Sequence, residues 1–241
     1  MAKKNSLKNL DELQEAIVVT DNSFSYANEC FNRLKDNLLL YMDGGRKKII
    51  SMQSSVSNEL KTTVACNLAV SLGFSGKKVL IIDLDFRRPS VHRAFNVENK
   101  EGLVEIMLDK ITCENAIQKT EYPNVDVLTR GNKVYNPSFI LTSQKFIELV
   151  EKVKGEYDVI LLDTAPVLEV SDYIHLSKIT DGSIFLVAYG STKKSMVREA
   201  VNEIKKNGIE IVSVVCTKCP KKMVDGKYHR YYGYYTTNDK K

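Results

Sequence analysis

Short runs rich in valine and isoleucine recur along this chain, and helix-period segments separate them. The runs are KKIISM (47–52), KKVLIID (77–83), NVDVLT (124–129), YDVILLD (157–163), GSIFLVAY (182–189) and GIEIVSVVC (208–216). Several are apolar on both faces, as expected of strands inside a parallel sheet that is covered on two sides. Segments 61–75, 138–154, 170–179 and 192–207 carry helical spacing between them, and an amphipathic helix over 26–41 precedes the first strand. Alternation of this kind builds βαβ units with right-handed crossovers. The pattern predicts an α/β fold, with a central, mostly parallel sheet and helices on both faces. Residues 26–217 form that domain. A polar arm (1–25) and a basic, tyrosine-rich tail (218–241) flank it, and neither carries enough apolar surface for a core of its own.

At 241 residues, with 43% hydrophobic and 27% charged residues, the chain has ordinary globular composition. No apolar run approaches the ~20 residues of a membrane-spanning helix. The opening MAKKNSLKNLDELQEA lacks the apolar core of a secretory signal. Membrane association is therefore expected through a partner or a charged surface. The five cysteines (Cys30, Cys66, Cys113, Cys216, Cys219) are scattered and odd in number, the usage of reduced thiols. Cys216 and Cys219 form a lone CxxC, and His92, His175 and His229 have no spacing that completes a zinc site. The net charge is +5, all of it in the tail: from Lys218 onward there are seven Lys or Arg and two Asp, while the preceding 217 residues carry 28 charges of each sign. A globally basic nucleic-acid binder is not indicated.

Strand 47–52 leads through QSSVSNELKTT into a helix beginning near Lys61. A phosphate-binding loop sits at such a junction: backbone N–H groups and the helix start face the anion, a Lys neutralises it, and a hydroxyl holds magnesium. Lys61 and Thr62 supply the KT of GxxxxGKT, but Ser55 and Leu60 stand where the pattern has glycine. The replacements carry a cost, because such loops use positive φ, which Asn58 tolerates moderately and Leu60 poorly. The run VLIIDLDFRRP (79–89) puts Asp83 and Asp85 on one face at a strand end, placed to orient magnesium or accept a proton. Arg87 and Arg88 follow, within reach of phosphate. YDVILLDTAP ends another strand on Asp163, suited to holding magnesium through water.

With these motifs in place the chain, from about Glu29 to Val215, resembles the bacterial tyrosine kinases of the capsule and exopolysaccharide type. ISMQSSVSNELKTTVACNLA resembles that family's Walker A loop and helix, VLIIDLDFRRP its Walker A′ motif, and YDVILLDTAPVLEVSD its Walker B strand. GNKVYNPSFILTS (131–143) is similar to its G…NP…L.S segment, and YHRYYGYY to its tail tyrosine cluster. ECFNRLKDNL (29–38) is similar to its ring-forming helix.

The resemblance implies a P-loop NTPase-like fold of the ParA and MinD branch and transfer of the ATP γ-phosphate to tyrosines of a neighbouring subunit's tail, with ATP and Mg2+ as cofactors. Residues Ser57, Asn58, Glu59, Leu60, Lys61, Thr62, Thr63, Asp163 and Thr217 would meet the nucleotide. Thr62, Asp83 and Asp163 would hold the metal, and Lys61, Asp83 and Asp85 would serve catalysis. Tyr228, Tyr231, Tyr232, Tyr234 and Tyr235 would accept phosphate. Glu29, Asn32 and Lys35 would lie at the contact of a ring-forming homo-oligomer. Further implied partners are a transmembrane chain-length adaptor, which would place the chain at the inner face of the cell membrane, and a cognate tyrosine phosphatase. Nucleic acid is not among them.

Where the family has Pro-Gly-Glu-Gly-Lys the chain has Ser57-Asn58-Glu59-Leu60-Lys61, so Asn58 and Leu60 replace both glycines of that stretch. The chain also has Asn32 and Lys35 in place of the ring helix's two arginines, and Thr217 in place of the adenine-side Asn. A Lys lacks the bidentate fork of Arg. These departures leave a second reading, a kinase-like scaffold that still binds the adaptor but transfers phosphate poorly. A third, a ParA or MinD-like ATPase, lacks its signature Lys, since that position is Val56.

Overall fold

The computed structural model describes residues 17–21 and 25–220. Its sheet has seven strands: β1 (Ile49–Ser54), β2 (Val79–Asp83), β3 (Gln118–Lys119), β4 (Val125–Leu128), β5 (Val159–Asp163), β6 (Gly182–Ala188) and β7 (Ile211–Thr217). The order across the sheet is β3-β4-β2-β5-β1-β6-β7, parallel throughout except for the antiparallel β3–β4 edge. The sequence pattern predicts six of these strands. It misses β3, which has only two residues, both polar, and so carries no apolar signal.

Helices cover both faces. Residues alternate along each strand, so Val79 and Ile81 enter one core while Leu80 and Ile82 enter the other. On the first face α1 (Tyr26–Tyr41) and α2 (Lys61–Phe74) contribute Leu34, Leu38, Leu68 and Leu72. The short α3 (Val91–Ala94) follows β2, and α4 (Leu103–Met107) and α5 (Cys113–Ala116) complete the passage to β3. On the second face lie α6 (Pro137–Leu141) and α7 (Gln144–Glu156), the latter packing Phe146, Leu149, Val150 and Val153 onto the sheet. After α8 (Asp172–Leu176) and β6, α9 (Lys194–Lys206) sets Ala200 and Ile204 against Phe185.

The helix expected over 138–154 is two helices. Ser143 is extended (φ −71°, ψ 143°), and its hydroxyl accepts the Phe146 N–H, capping α7 and ending α6. The Gly131 that opens the GNKVYNP segment has φ +82°, and a Cβ there would meet the Glu105 carboxylate. That carboxylate receives the Gly102 and Asn132 N–H groups, so the segment is tied to α4.

Residues 17–21, inside the expected arm, lie on the domain: Val19 is buried, and Asn67 Oδ1 accepts the N–H groups of Val18 and Val19 at 2.7 and 3.1 Å. The tail tyrosines Tyr228, Tyr231, Tyr232, Tyr234 and Tyr235 fall outside the described residues.

Candidate nucleotide site

Three parallel strands, β1, β5 and β2, lie side by side and end at the same edge, so residues far apart in sequence meet there. Across that edge Asp83 stands opposite Asp163 in register. The loop after β1 and the start of α2 roof the carboxylates.

The loop takes the conformation its missing glycines would have eased. Asn58 and Leu60 both have φ of +65°. A left-handed non-glycine residue costs roughly 1–2 kcal/mol, and the loop holds it by other means. Glu59 is 1% exposed. Its Oε2 accepts the N–H groups of Ser55 (2.7 Å) and Val56 (3.1 Å), and its Oε1 accepts the Ala188 N–H (3.0 Å) and the Thr192 hydroxyl. One carboxylate thus fastens the loop to itself and to the end of β6. The Glu59 carbonyl in turn accepts the Thr217 hydroxyl at 3.1 Å.

Leu60 precedes α2 without a side-chain cap, so the N-terminus of this 14-residue helix is available to an anion. Beside it lies a hollow of about 210 Å3, with Ser57, Leu60, Lys61, Thr62, Asp85 and Arg88 on its walls. Lys61 is 8% exposed, and its charge lowers the proton affinity of Asp163. The Thr62 hydroxyl donates to Asp163 Oδ2 at 2.6 Å, and the Ser90 hydroxyl reaches Thr62 Oγ1 at 2.8 Å.

The strand-end carboxylates are unequal. Asp83 is fully buried, with Oδ1 taking the Asp85 N–H and Oδ2 those of Ser90 and Val91. Burial, and then the neighbouring Asp163, push its proton affinity well up. Asp163 is raised to about 6, chiefly by burial, with Lys61 and Thr62 opposing. Its Oδ1 is buried without a hydrogen-bond partner. That orphaned oxygen and the Thr62 hydroxyl are hard donors suited to magnesium, which takes one or two carboxylates and fills its shell with phosphate oxygens and water. Among the described residues no three carboxylate, thiol or imidazole groups converge as a ready-made metal cage.

Of the residues expected at the nucleotide, Ser57, Asn58, Glu59, Leu60, Lys61, Thr62 and Thr63 border the hollow, as does Asp85. Asp83 and Asp163 lie beneath it. Thr217 braces the loop through Glu59. Arg88 faces the hollow, while Arg87 is drawn off to the buried Asp172 at 2.5 Å. On α1, Glu29 and Asn32 are exposed, and the Asn32 side chain accepts from Lys35 and Ser71 of the same chain.

Sequence reasoning misses two parts, Ser90 and Glu169. Glu169 receives both the Ser57 N–H (2.6 Å) and the Ser57 hydroxyl (2.7 Å). Burial pulls its proton affinity up, but those two donations, with the charges of Arg88 and Lys61, bring it below the ordinary value. It lies within the quoted YDVILLDTAPVLEVSD motif, five residues past Thr164, so an acid facing the loop across the strand ends is the signal that could have found it.

Residues 47–207 match the family described as AAA domain. The tyrosine-protein kinase YwqD of Bacillus subtilis is 33% identical over 230 residues, spanning 94% of this chain and 94% of that protein. The crystal structure of the chimerical protein CapA2B2 superposes with a TM-score of 0.78 at 32% identity, covering 82% of this chain and 87% of that one. The septum site-determining protein MinD from Pyrococcus horikoshii, solved with Mg-ADP, superposes at 0.60 with 25% identity, covering 70% of each chain. The sheet is thus that of the MinD-like P-loop NTPases, and by its relatedness along nearly its whole length the chain belongs to the bacterial tyrosine-kinase family.

Proposed function

We propose that the chain is a Mg·ATP-dependent protein-tyrosine kinase that phosphorylates the tail tyrosines of a neighbouring copy and so regulates capsule or exopolysaccharide synthesis and export. The observation that carries this reading is the Thr62–Asp163 contact of 2.6 Å directly below the uncapped start of α2, with Lys61 beside it. Phosphoryl transfer asks the protein mainly for positioning and charge neutralisation. The α2 N-terminus and the Lys61 ammonium bind the β- and γ-phosphates. Thr62 and Asp163 would hold magnesium through their oxygens, and the ion would supply neutralisation of the phosphate charge. Asp85, at the wall of the hollow, accepts the proton of the incoming tyrosine hydroxyl. Asp83, whose oxygens are spent on three backbone N–H groups, holds the loop between β2 and α3 in shape. A transmembrane chain-length adaptor holds the chain at the inner face of the membrane, Glu29, Asn32 and Lys35 lie at the ring contact between copies, and a cognate phosphatase reverses the modification.

A second reading, an adaptor-binding scaffold that transfers phosphate poorly, draws on one observation: Glu169 occupies the Ser57 N–H that a phosphate would use. One experiment separates them. Purified protein is incubated with Mg·ATP, with and without an adaptor tail, and probed for phosphotyrosine beside Lys61→Met. Signal lost in Lys61→Met is the expected result. No signal, together with no measurable nucleotide binding, leaves the scaffold.

A further inference from the structure

The sheet ends at β7, which pairs with β6 on one side. Unlike the inner strands it is partly open, with Val214 64% exposed and Cys216 exposed. After Thr217 the chain turns at Lys218, whose φ of +55° is left-handed. That turn folds Cys219 back over Cys216. The two sulfurs lie 3.3 Å apart, and Cys219 Sγ is 3.6 Å from the Cys216 carbonyl oxygen. The other thiols are placed differently. Cys66 and Cys113 are buried in the two main cores, and Cys30 is exposed on α1.

We propose that Cys216 and Cys219 form a dithiol–disulfide site that reacts with low-molecular-weight disulfides. The pair is surface-placed, needs only a short closing movement, and sits in a CxxC spacing where the second thiol resolves what the first has captured. Cys219 stands on the turn past the end of β7, while Cys216 is fixed within the strand by its pairing to Val187, so the first attack falls to Cys219. Its thiolate attacks one sulfur of the small disulfide, the S–S bond of that molecule breaks, and one thiolate leaves. The Cys216 thiolate then attacks the Cys219 sulfur of the mixed disulfide, and the second small thiolate leaves. Two electrons pass from the pair to the small disulfide, which departs as two thiols carrying the pair's two protons. The closed ring contains Thr217, the residue that braces the phosphate loop through Glu59, so the site lies one residue from a loop anchor.

Cys30 is the competing thiol, because it too is exposed and its neighbour Tyr26 lies close to Cys219. The test uses the full chain in buffers of glutathione disulfide and glutathione at stepped ratios. Free thiols are alkylated, and the chain is cleaved after Lys218. The expected product is a pair of peptides joined only by Cys216–Cys219, two hydrogens lighter than the sum, separated again by dithiothreitol, with Cys30, Cys66 and Cys113 alkylated. In Cys216→Ser the glutathione adduct on Cys219 should persist, with the urea midpoint of the reduced protein unchanged. A Cys30–Cys219 link, a persistent adduct in the parent chain, or both thiols still alkylated at the most oxidising ratio would overturn the proposal.

Discussion

The carboxylate of Glu59 receives the Ala188 N–H at 3.0 Å and so ties the phosphate loop to the end of β6. The same side chain takes Ser55, Val56 and Thr192, all within the protein. A buried group that serves four donors is expensive to remove, because each donor is left without water or partner. Glu59→Ala is therefore expected to cost about 3–5 kcal/mol of stability. Glu59→Gln, which keeps one acceptor oxygen, should cost roughly half as much. Urea unfolding checks both. A loss below about 1 kcal/mol for the alanine variant would show that the loop is held elsewhere.

Leu60 adopts a left-handed conformation at the mouth of α2, and a glycine there would adopt it freely. Relief of strain is worth roughly 1–2 kcal/mol, and greater freedom of the unfolded chain returns about 0.4–1 kcal/mol. Leu60→Gly is expected to be a net stabiliser by about 0.5–1 kcal/mol, a rise of about 2 °C in Tm for a domain of this size. Leu60→Ala keeps the strain and should show no gain. Thermal melts of the three proteins decide it, and an equal gain from alanine would refute the strain account.

Most of the sheet is legible in the sequence, because a strand buried on both faces is written as an uninterrupted apolar run. The site's skeleton is legible too: Lys61, Thr62, Asp83, Asp85 and Asp163 each stand at a strand or helix end, where the fold must bring them together. The parts that are not legible depend on tertiary contact. Nothing in the spacing of Glu59 shows that its carboxylate would turn inward to brace the loop. Nothing in Glu169, 112 residues from Ser57, shows that the two meet. The engagement of both Asp83 oxygens by backbone N–H groups is likewise something no side-chain pattern encodes. The short helices α3 to α5 are too brief for periodicity to register.

Glu169 sits where the loop would present an N–H group to phosphate, and its negative charge faces an incoming triphosphate. Neutralising it should favour the nucleotide. At the partly exposed mouth of the site the gain is about 1 kcal/mol, roughly fivefold in Kd. Glu169→Gln is expected to tighten Mg·ADP binding by that factor, measured by calorimetry at constant ionic strength. Unchanged or weaker binding would mean that Glu169 orders the loop rather than obstructing it.

Asp163 carries a pH signature in the metal-free protein. Its proton affinity is raised to about 6 by burial, against an ordinary value near 3.8, and the buried Asp83 faces it across the sheet. The folded state thus binds the proton more tightly than the unfolded chain does. Its contribution to stability is fully present below pH 4 and is lost as the pH rises through 6, to a total of about 3 kcal/mol. Asp163→Asn removes that penalty, because an amide stays neutral throughout. In EDTA the variant is expected to exceed the parent in stability by about 2–3 kcal/mol at pH 7.5 and to approach it near pH 4. It should also lose Mg-dependent nucleotide binding, since the buried oxygen that would hold the cation is replaced. Urea midpoints at the two pH values provide the measurement. If the difference between variant and parent were the same at both, the carboxyl of Asp163 would not be carrying the shift, and Asp83 alone would hold the proton of the pair.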